Sequence, residues 1–500
     1  MTRSDVVDLR RLLLPFGIEA PSIGVAQMIL DSREVAIHNL FVAVKGHHQD
    51  GRDFIPQAVS LGAKAILAQA DKPEQHGQVE MREQSLIIHF YRLSECLSAL
   101  AAEFYQHPAD KLKVAAVTGT NGKTSTVQLI AQLARLTGEQ AGTIGTLGAG
   151  MQGQLQEVAN TTPDAISMHK LLCEMQLQGA QMVALEASSH ALVQHRIASI
   201  KTDVVVFTNL TRDHLDYHGD MNQYAAAKRM LLNQPGLRAM VLNQQDPESE
   251  NWLAVGGHRL HSVFCGLKSP HYPEHDHVIA AKVDYLPQGT RIDIESSWGN
   301  GQVMSPLMGQ FNVLNLLGAL ATQLILGAEL KSLMESVPQL APVPGRLEVF
   351  HRAGHGALVV DYAHTPDALE QALVALRQHA RGKLYCLFGC GGDRDKGKRP
   401  LMGRVAEASA DVVMITNDNS RSEDPHRIAE DILGGMQQPD KALLELDRQA
   451  AIRRLFEQAD DGDLILLAGK GHEPYQVIGN NKINYNEREF AATLIKRNCA

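Results

Sequence analysis

One short segment of the chain combines the residue types that bind phosphate. The segment Thr118–Ser125 reads TGTNGKTS; it follows an apolar run and precedes a predicted helix, Thr126–Leu136. A glycine-rich turn between a strand and a helix presents backbone N–H groups to an anion. Lys123 would then reach the outer phosphates, and the hydroxyl of Thr124 or Ser125 would ligate Mg²⁺. The segment therefore predicts a nucleoside triphosphate site.

This segment departs from the general phosphate-loop pattern at one position. The general pattern has a glycine six residues before the lysine. The chain has Val117 there, at the end of the apolar run Val114–Val117. The strict pattern is therefore not met, and TGTNGKTS is a narrower variant that favours one group of nucleotide enzymes.

Two more polar clusters follow predicted strands of the same region. One begins with Glu186 after the apolar run Met182–Leu185, and the other contains His214 after Val204–Phe207. Ligands of open parallel sheets bind beyond the C-terminal ends of the strands. We therefore expect Glu186 and His214 to converge near the phosphate loop, where a carboxylate and an imidazole suit a divalent cation.

Two polar residues of this region have more than one interpretation. Lys228, in the predicted helical stretch YAAAK, has the pattern of a surface lysine when it is taken alone. Asn312 and Asn315 lie one turn apart at the start of a predicted helix, Asn312–Leu326. Asn312 fits a helix N-cap, whereas Asn315 has less of a local explanation and could hydrogen-bond a nucleotide base.

The last third of the chain places a polar loop after each of four predicted strands. The strands are Ala357–Val360, Leu384–Phe388, Val412–Ile415 and Leu464–Leu467. Asp361 follows the first strand, where a carboxylate can bind ribose hydroxyls. Arg394 and Arg421 can grip a carboxylate bidentately, while Asp418 and Glu473 can hold an ammonium. Together the loops predict a receptor for a zwitterion.

Composition excludes several classes of protein. A length of 500 residues suggests about three domains of roughly 150 residues each. The net charge of −9 argues against nucleic-acid binding, which favours a basic surface. The N-terminus lacks the apolar core of a signal peptide, and no apolar run approaches the roughly 18 residues of a membrane helix. We expect a cytoplasmic protein without membrane insertion, whose scattered cysteines are reduced.

The alternation of buried strands and helices predicts an α/β fold in three domains. A smaller mixed α/β domain is expected over residues 1–109. A P-loop ATPase-like, mainly parallel sheet is expected over 110–341, with an antiparallel excursion over Val278–Ile294. A Rossmann-like sheet is expected over 342–500, and the proline-rich segment Pro338–Gly345 marks this boundary.

The motifs resemble those of the Mur ligases, the ATP-dependent amino-acid-adding enzymes of peptidoglycan synthesis. TGTNGKTS, EASSH, NLTRDHLDYHG, GQFNVLN, PGRLE and VDYAHTPDALE occur in the family's order over nearly the whole chain. The N-terminal stretches LDSR and GHHQDGR resemble the UDP-binding elements of the MurE type. Members of that type join an amino acid to UDP-N-acetylmuramoyl-L-alanyl-D-glutamate.

The resemblance implies roles for individual residues. The uridine end of the substrate would be held by Leu30, Ser32, His47, His48 and Gln49. The muramoyl-dipeptide would be bound by Asn160, Thr161, Thr162, Ser188, Gln194 and Arg196. ATP would be bound by Gly119, Thr120, Asn121, Gly122, Lys123, Thr124, Ser125, Asn315, Arg346 and Asp361. Mg²⁺ would be held by Thr124, Glu186, His214 and Lys228 as a carbamate, and the catalytic group would be Lys123, Lys228, His214 and Glu186.

The amino-acid loop departs from the family pattern. Members that use meso-diaminopimelate usually read Asp-Asn-Pro-Arg, and this chain reads Asp418-Asn419-Ser420-Arg421. The fixed φ of a proline is lost, but the arginine is kept. Lysine lacks the second carboxylate of diaminopimelate and would leave the guanidinium unpaired, at a cost of about 1–3 kcal/mol. The resemblance thus implies diaminopimelate, bound by Arg394, Asp418, Asn419, Ser420, Arg421, Gly469 and Glu473.

The implied activity is an ADP-forming ligation through an acyl phosphate. It would serve peptidoglycan synthesis, and with it cell-wall biogenesis, cell shape and cell division, in a monomeric enzyme that uses small-molecule substrates. Three alternatives stay open: an L-lysine-adding member of the family, a ligase similar to folylpolyglutamate synthase, and a nucleotide-dependent switch protein. The LDSR and GHHQDGR stretches count against the second alternative. The zwitterion site predicted in a separate domain counts against the third.

Overall fold

The computed structural model describes residues 6–46, 49–286, 289–352 and 354–496. The chain divides into two compact units. Unit 1 comprises Met1–Cys265, Pro270–Val278 and Gly318–Glu329, and unit 2 comprises Gly266–Ser269, Ile279–Leu317 and Leu330–Ala500. None of the described helices has the length and apolar character required to span a bilayer. The predicted division into three domains stays a prediction.

The N-terminal region of unit 1 is built on a small, mainly parallel sheet. Its elements are β1 (Val7–Asp8), α1 (Leu9–Leu13), β2 (Gly24–Val25), β3 (Met28–Ile29), β4 (Leu40–Ala43), α2 (Ile55–Ser60), β5 (Ala65–Ala70), β6 (Val79–Arg82), β7 (Ser85–Tyr91) and α3 (Leu93–Phe104). The strand order is β3-β4-β5-β7-β6, and only β6 runs antiparallel to its neighbour. Leu40 and Val42 join one apolar cluster and Phe41 another, because alternate strand residues face opposite sides of the sheet.

The remainder of unit 1 contains the sheet that carries the phosphate-binding segment. Its elements are β8 (Lys113–Thr118), α4 (Lys123–Leu136), β9 (Ala141–Gly145), β10 (Gly148–Met151), α5 (Ala165–Leu177), β11 (Met182–Glu186), α6 (Ser189–Val193), β12 (Val204–Phe207), α7 (Leu215–His218), α8 (Met221–Arg229), β13 (Ala239–Asn243), α9 (Glu248–Gly256) and β14 (His261–Leu267). The order β10-β9-β11-β8-β12-β13-β14 is parallel throughout except for β10. Strand β8 therefore lies between β11 and β12, so the three predicted polar clusters share one edge of the sheet.

The chain continues through three strands and two helices. They are β15 (Asp276–Leu286), β16 (Gly289–Ser296), β17 (Gly299–Ser305), α10 (Gln310–Ile325) and α11 (Leu330–Ser336). Strands β16 and β17 form a hairpin with Ser296 opposite Gly299. Strand β16, within the predicted antiparallel excursion over Val278–Ile294, pairs antiparallel with β17, which lies beyond the predicted range. The antiparallel direction of β15 stays a prediction.

The C-terminal part of unit 2 is a second α/β sheet. Its elements are β18 (Glu348–Phe350), β19 (Ala357–Asp361), α12 (Pro366–Arg377), β20 (Leu384–Phe388), α13 (Lys398–Ser409), β21 (Val412–Ile415), α14 (Pro425–Leu433), β22 (Leu443–Leu444), α15 (Arg448–Gln458), β23 (Leu464–Ala468), β24 (Tyr475–Ile478), β25 (Asn481–Asn484) and α16 (Glu487–Lys496). The order is β18-β19-β23-β20-β21-β22, antiparallel only between β18 and β19. The four predicted loops thus follow adjacent strands, and the predicted α/β fold class is confirmed.

Candidate functional site

The phosphate-binding segment is the turn between β8 and α4, and two of its glycines are required by geometry. Gly119 has a φ of +150°, and a Cβ there would lie 1.9 Å from Oγ1 of Thr208. Gly122 has a φ of 86° immediately before α4 begins at Lys123. Both backbone conformations favour glycine. Val117 lies inside β8 and is fully buried, so the glycine of the general pattern falls here on an ordinary strand position.

The loop that follows β12 fixes the conformation of the phosphate loop. The N–H of Thr120 donates to the carbonyl of Asn209 at 2.9 Å, and the N–H of Asn121 donates to Oδ1 of Asn209 at 2.9 Å. In return, the hydroxyl of Thr208 donates to the carbonyl of Asn121 at 2.6 Å. These bonds hold the turn in shape before any ligand arrives, which lowers the ordering cost of binding.

Two lysines donate to the same carbonyl in this loop. Nζ of Lys123 donates to the carbonyls of Gly119 and Thr120, each at 2.9 Å. Nζ of Lys228 donates to the carbonyl of Gly119 at 2.7 Å and lies 4.4 Å from the ring centroid of Tyr224. Lys228 is only 2% exposed, so its interpretation as a surface lysine is wrong. Burial, together with the charge of Lys123, holds the pKa of Lys228 well below its usual range.

Glu186 ends β11, directly opposite Val117 of β8. Its side chain is 1% exposed, and it accepts from the N–H of Thr146 at 2.8 Å and from the hydroxyl of Thr146 at 3.3 Å. A Cβ on Gly145 would lie 2.3 Å from Oε1 of Glu186. The glycine therefore makes room for the carboxylate at the edge of the sheet that carries the phosphate loop.

His214 lies in a group of aromatic rings beside this edge. Its ring centroid is 4.9 Å from that of His190 and 6.2 Å from that of Tyr224. The hydroxyl of Tyr224 is hydrogen-bonded to that of Thr120 at 3.3 Å. His214 is about half exposed and has a φ of 52° at the start of α7. The ring of Tyr224 thus lies between His214 and the phosphate loop.

A conventional metal site does not occur in the described part of the chain. Those residues hold no group of three or more His, Cys, Asp or Glu side chains able to bind a metal ion. The predicted Mg²⁺ set includes only two residues of these types, Glu186 and His214, with the hydroxyl of Thr124. A carbamate on Lys228 would add an anionic oxygen ligand of the kind Mg²⁺ prefers. Burial and the lowered pKa of Lys228 favour the neutral amine, which is the form of lysine that can react with CO₂.

Several residues predicted to bind the muramoyl-dipeptide form one hydrogen-bonded group. The hydroxyl of Thr162 donates to the carbonyl of Glu186 at 2.7 Å and accepts from the N–H of Ser188 at 3.2 Å. Arg196 donates to the carbonyl of Thr162 at 2.6 Å and to Oε1 of Gln194 at 3.0 Å. The guanidinium is thereby held beside the C-terminal end of β11.

The other residues of that predicted set have simpler surroundings. The hydroxyl of Thr161 is hydrogen-bonded to that of Thr146 at 3.1 Å, while Asn160 is exposed. Oγ of Ser188 accepts from the N–H of Ala191, so this residue also caps α6. Their contacts to substrate stay predictions.

The predicted uridine-binding residues lie near the C-terminal edge of the N-terminal sheet. Ser32 is buried, and its hydroxyl donates to Oε1 of Gln57 at 2.8 Å. Leu30 is partly buried and Gln49 is exposed. His47 and His48 lie outside the described residues.

Unit 2 contains the remaining predicted nucleotide-binding residues. Both carboxylate oxygens of Asp361 accept backbone N–H groups, from Leu347 and from Ala363, each at 2.8 Å. Burial raises the pKa of this carboxyl, and the charge of Arg346 opposes that shift. The guanidinium of Arg346 lies 4.9 Å above the ring of Tyr362. Asp361 therefore also has a structural role, because it shapes the backbone on both sides of β19.

Asn315 is the last member of that set, and it lies inside α10. It is 6% exposed, and its amide donates to Oδ1 of Asn312 at 3.3 Å. The amide of Asn312 donates in turn to the carbonyl of Met308 at 2.9 Å. Asn312 is thus a residue of the first helical turn, and its amide orients that of Asn315.

The ammonium end of the predicted zwitterion site contains a lysine that the sequence interpretation missed. Lys470 is fully buried, and its Nζ donates to Glu473 at 2.8 Å and to Oδ1 of Asn419 at 3.0 Å. The same Nζ lies 3.8 Å from Oδ1 of Asp418. The two carboxylates therefore share one internal cation, which would leave one net negative charge for the predicted ammonium. The sequence signal for this contact was that Lys470 and Glu473 are three residues apart, a spacing at which two side chains of a turn can lie on the same side.

The two predicted carboxylate-binding arginines lie close to Gly391. A Cβ on Gly391 would be 2.9 Å from Nη1 of Arg421 and 3.7 Å from Cγ of Arg394. Nη1 of Arg421 donates to the carbonyl of Gly392 at 2.7 Å. The glycines after β20 thus let the guanidinium approach the backbone closely.

Pairing with the β24–β25 hairpin stabilises the amino-acid loop, which lacks the family's proline. The N–H of Arg421 donates to the carbonyl of Val477 at 3.1 Å, and the N–H of Gly479 donates to the carbonyl of Arg421 at 2.7 Å. Ser420, at the position of the proline, is 1% exposed. Gly469 has a φ of +111°, and a Cβ there would lie 2.5 Å from Oδ2 of Asp418. The loops after β21 and β23 are therefore closely packed.

Comparison with known protein families identifies three regions of the chain. Residues 25–105 match the description "Mur ligase family, catalytic domain". Residues 117–323 match "Mur ligase middle domain", and residues 345–471 match "Mur ligase, glutamate ligase domain".

Solved structures agree with these matches. A UDP-N-acetylmuramoyl-L-alanyl-D-glutamate–2,6-diaminopimelate ligase is 33% identical, with a TM-score of 0.74 over 98% of this chain and 99% of that one. MurF ligase from Thermotoga maritima in complex with ADP is 20% identical, with a TM-score of 0.60 over 88% and 93%. Folylpolyglutamate synthase of Mycobacterium tuberculosis, complexed with ADP and AMPPCP, is 17% identical, with a TM-score of 0.61 over 81% and 96%. The last two show the fold alone.

The recognition drawn from the sequence motifs is thereby confirmed. The family's members are ATP-dependent amide ligases, which agrees with the phosphate loop between β8 and α4. The chain belongs to the Mur ligase family and is an enzyme of the ligase class.

Proposed function

We propose that this enzyme adds meso-2,6-diaminopimelate to the D-glutamyl residue of UDP-N-acetylmuramoyl-L-alanyl-D-glutamate, with ATP as the energy source. The observation that carries the proposal is the pair Arg394 and Arg421 beside Gly391, next to the Asp418, Glu473 and Lys470 group. This arrangement offers cations for a distal carboxylate and net negative charge for an ammonium. The name of the 33% identical ligase contains UDP-N-acetylmuramoyl-L-alanyl-D-glutamate and 2,6-diaminopimelate, and the match covers 98% of this chain.

Activation of the carboxylate comes first in this reaction. The γ-carboxylate of the D-glutamyl residue attacks the γ-phosphorus of ATP, a P–O bond forms, and ADP leaves. Lys123 and the N–H groups of Gly122–Ser125 would stabilise the charge on the transferring phosphoryl group. For this, Nζ of Lys123 exchanges the carbonyls of Gly119 and Thr120 for phosphate oxygens.

Amide formation follows. The neutral amine of diaminopimelate attacks the acyl carbon, the C–N bond forms, and inorganic phosphate leaves as the amine loses its proton. Activation is necessary because a carboxylate is a poor electrophile. Asp418 and Glu473 would orient the amino acid through its second amino group, which stays an ammonium, and Arg421 and Arg394 through its distal carboxylate.

Mg²⁺, when bound, would neutralise part of the triphosphate charge. Glu186, His214, the hydroxyl of Thr124 and carbamylated Lys228 are the residues proposed to hold it. Glu186 is fixed by Thr146 and Lys228 by Gly119, so two of these side chains have defined positions at the edge of the sheet.

Phosphate release with two competing acceptors tests the proposal. Wild-type enzyme is assayed with the UDP-dipeptide and ATP while diaminopimelate and L-lysine are compared. We expect kcat/KM to favour diaminopimelate by at least about tenfold, because lysine leaves a guanidinium unpaired. Arg421→Met should lose most of this preference and keep its KM for ATP, while Arg404→Met, at an exposed position of α13, should behave as wild type.

The alternatives give different results in the same assay. Equal use of the two acceptors would contradict the assignment of Arg421 and favour the L-lysine-adding member. Turnover with a folate and glutamate would favour the folylpolyglutamate synthase type. Nucleotide turnover that ignores both amino acid and UDP-dipeptide would favour a switch protein.

A further inference from the structure

Arg448 contacts the backbone at the base of the predicted amino-acid site but is not one of the predicted substrate-binding or catalytic residues. It is the first residue of α15 and is 2% exposed. Nη2 donates to the carbonyl of Ala468 at 2.9 Å, and Nη1 donates to the carbonyl of Asn417 at 3.4 Å. One planar group therefore contacts the backbone at the ends of two different strands.

These two carbonyls lie at the bases of the amino-acid loops. Asn417 directly precedes Asp418 in the loop after β21, and Ala468 directly precedes Gly469 in the loop after β23. Strand β20 lies between β21 and β23 in the sheet, so the two strands share no ladder of hydrogen bonds. Arg448 joins their ends across β20, and only a forked donor of this length serves both carbonyls at once.

The guanidinium is itself held in place by an ion pair. Nε and Nη2 donate to the carboxylate of Glu487, the fully buried first residue of α16. The hydroxyl of Tyr485 donates to the same carboxylate at 2.9 Å. Burial acts to lower the pKa of Arg448, but the charge of Glu487 outweighs it, so the net shift is upward. The carboxylate also lies at the N-terminus of a helix, where negative charge is favourable.

We propose that Arg448 is a positioning residue of the amino-acid site. It sets the separation between the loop that carries Asp418 and the loop that carries Gly469 and Glu473. The incoming amino acid binds to groups from both loops, so its affinity depends on that separation, whereas binding of the nucleotide phosphates at Gly119–Ser125 does not. The identity of the amino acid rests on the proposed function; the role of Arg448 in spacing the loops does not.

Arg448→Lys tests this role, because lysine keeps the charge beside Glu487 but lacks the fork. We expect KM for the amino acid to rise roughly tenfold to a hundredfold, the scale of an ångström-sized misplacement. KM for ATP should change less than about twofold. Arg377→Lys is the matched control: Arg377 also donates to a carboxylate and a carbonyl, those of Asp411 and Gly382, but away from the amino-acid loops. It should leave both KM values unchanged.

A double variant protects the test against misfolding. Arg448→Met combined with Glu487→Leu removes both buried charges together, a replacement that proteins often tolerate. It should fold and still raise KM for the amino acid. Tyr485→Phe removes only the outer hydrogen bond to Glu487 and should leave KM unchanged.

Amide hydrogen exchange provides a measurement that does not require activity. In Arg448→Lys, exchange should accelerate in 417–421 and 469–473 and stay as in wild type at Gly119–Ser125. If the wild type proves to use L-lysine, the proposed function fails. The positioning role is then tested by comparing KM for L-lysine between wild type and Arg448→Lys. Unchanged loop exchange, or equal rises in KM for ATP and amino acid, would overturn the positioning role.

Discussion

The carbonyl of Gly119 accepts hydrogen bonds from both Lys123 and Lys228. Two ammonium groups this close to one carbonyl repel each other, and burial together with the charge of Lys123 holds the pKa of Lys228, the more buried lysine, well below its usual range. The neutral amine of Lys228 is therefore favoured at the edge of the sheet where a triphosphate is expected. The lowered pKa of Lys228 results from its burial, because an exposed lysine would keep its ordinary pKa.

Substitution of Lys228 should abolish most of the ligase activity. Lys228→Ala removes the proposed carbamate, and kcat should fall by about a hundredfold or more, the scale of losing one preorganised electrostatic group. Added formate or acetate should restore part of the rate because a small carboxylate fits the vacated space. Lys331→Ala, at an exposed position of α11, is the control. Full activity in Lys228→Ala would exclude the carbamate.

The same residue predicts a pH and CO₂ dependence of the activity. Carbamate formation consumes the neutral amine, and protonation at lower pH removes it, so the rate should fall as the pH decreases. Removal of CO₂ and bicarbonate should lower the rate at constant pH, and their return should restore it. Phosphate release in degassed and bicarbonate-supplemented buffers measures both effects. A rate indifferent to CO₂ would contradict the proposed carbamate.

At the scale of elements, the turn between β8 and α4 depends on the loop after β12. Gly119→Ala would place a Cβ 1.9 Å from Oγ1 of Thr208, so the hydroxyl that holds Asn121 must move. We expect loss of nucleotide binding, measured by titration with ADP. Gly138→Ala is the control that separates a steric clash from backbone strain. Gly138 also has a positive φ, of +98°, but no atom lies within 4 Å of the Cβ that alanine would add. It should lose some stability and keep ADP binding; equal ADP affinity in both variants would contradict the clash.

The contact between α5 and α3 predicts a pH-dependent stability. His169 is hydrogen-bonded to Ser98 at 3.2 Å, and burial, with a smaller effect of His107, lowers its pKa from 6.5 to about 4. Between these values the unfolded chain binds the extra proton, so stability falls as the pH decreases from 6.5 to 4. The loss is about 3 kcal/mol.

His169→Gln isolates this contribution to the free energy of unfolding. The difference in free energy of unfolding between wild type and variant should be constant above pH 6.5. By pH 4 the wild type should have lost about 3 kcal/mol of stability relative to the variant. Urea unfolding at several pH values measures it. His258→Gln, at an exposed position, should run parallel to wild type. A constant difference for His169→Gln across the range would contradict the assignment.

The strands were the most predictable elements. Val204–Phe207, Leu384–Phe388 and Val412–Ile415 have the predicted bounds, because buried parallel strands are short apolar runs that end where polar loops begin. Helix starts were less accurate. The helix predicted from Thr126 begins at Lys123, since a helix that opens at a phosphate loop takes its first turn from polar residues.

At the scale of the whole molecule, topology explains which parts of the site were predictable. Residues that follow neighbouring parallel strands share an edge, so Glu186 and the phosphate loop could be placed from the order of motifs. The burial of Lys228 and Lys470 could not be predicted, because it depends on packing between segments that are distant in sequence. The contacts of Arg448 were unpredictable for the same reason: its partners Asn417, Ala468 and Glu487 lie 20 to 39 residues away.

The central claim is that the enzyme activates the D-glutamyl γ-carboxylate as an acyl phosphate before diaminopimelate attacks. The most direct measurement uses UDP-N-acetylmuramoyl-L-alanyl-D-glutamate labelled with ¹⁸O in that carboxylate, together with ATP and diaminopimelate. We predict ADP, an amide product, and inorganic phosphate that carries one labelled oxygen from the carboxylate. Unlabelled phosphate, or label recovered in AMP with release of pyrophosphate, would contradict the account.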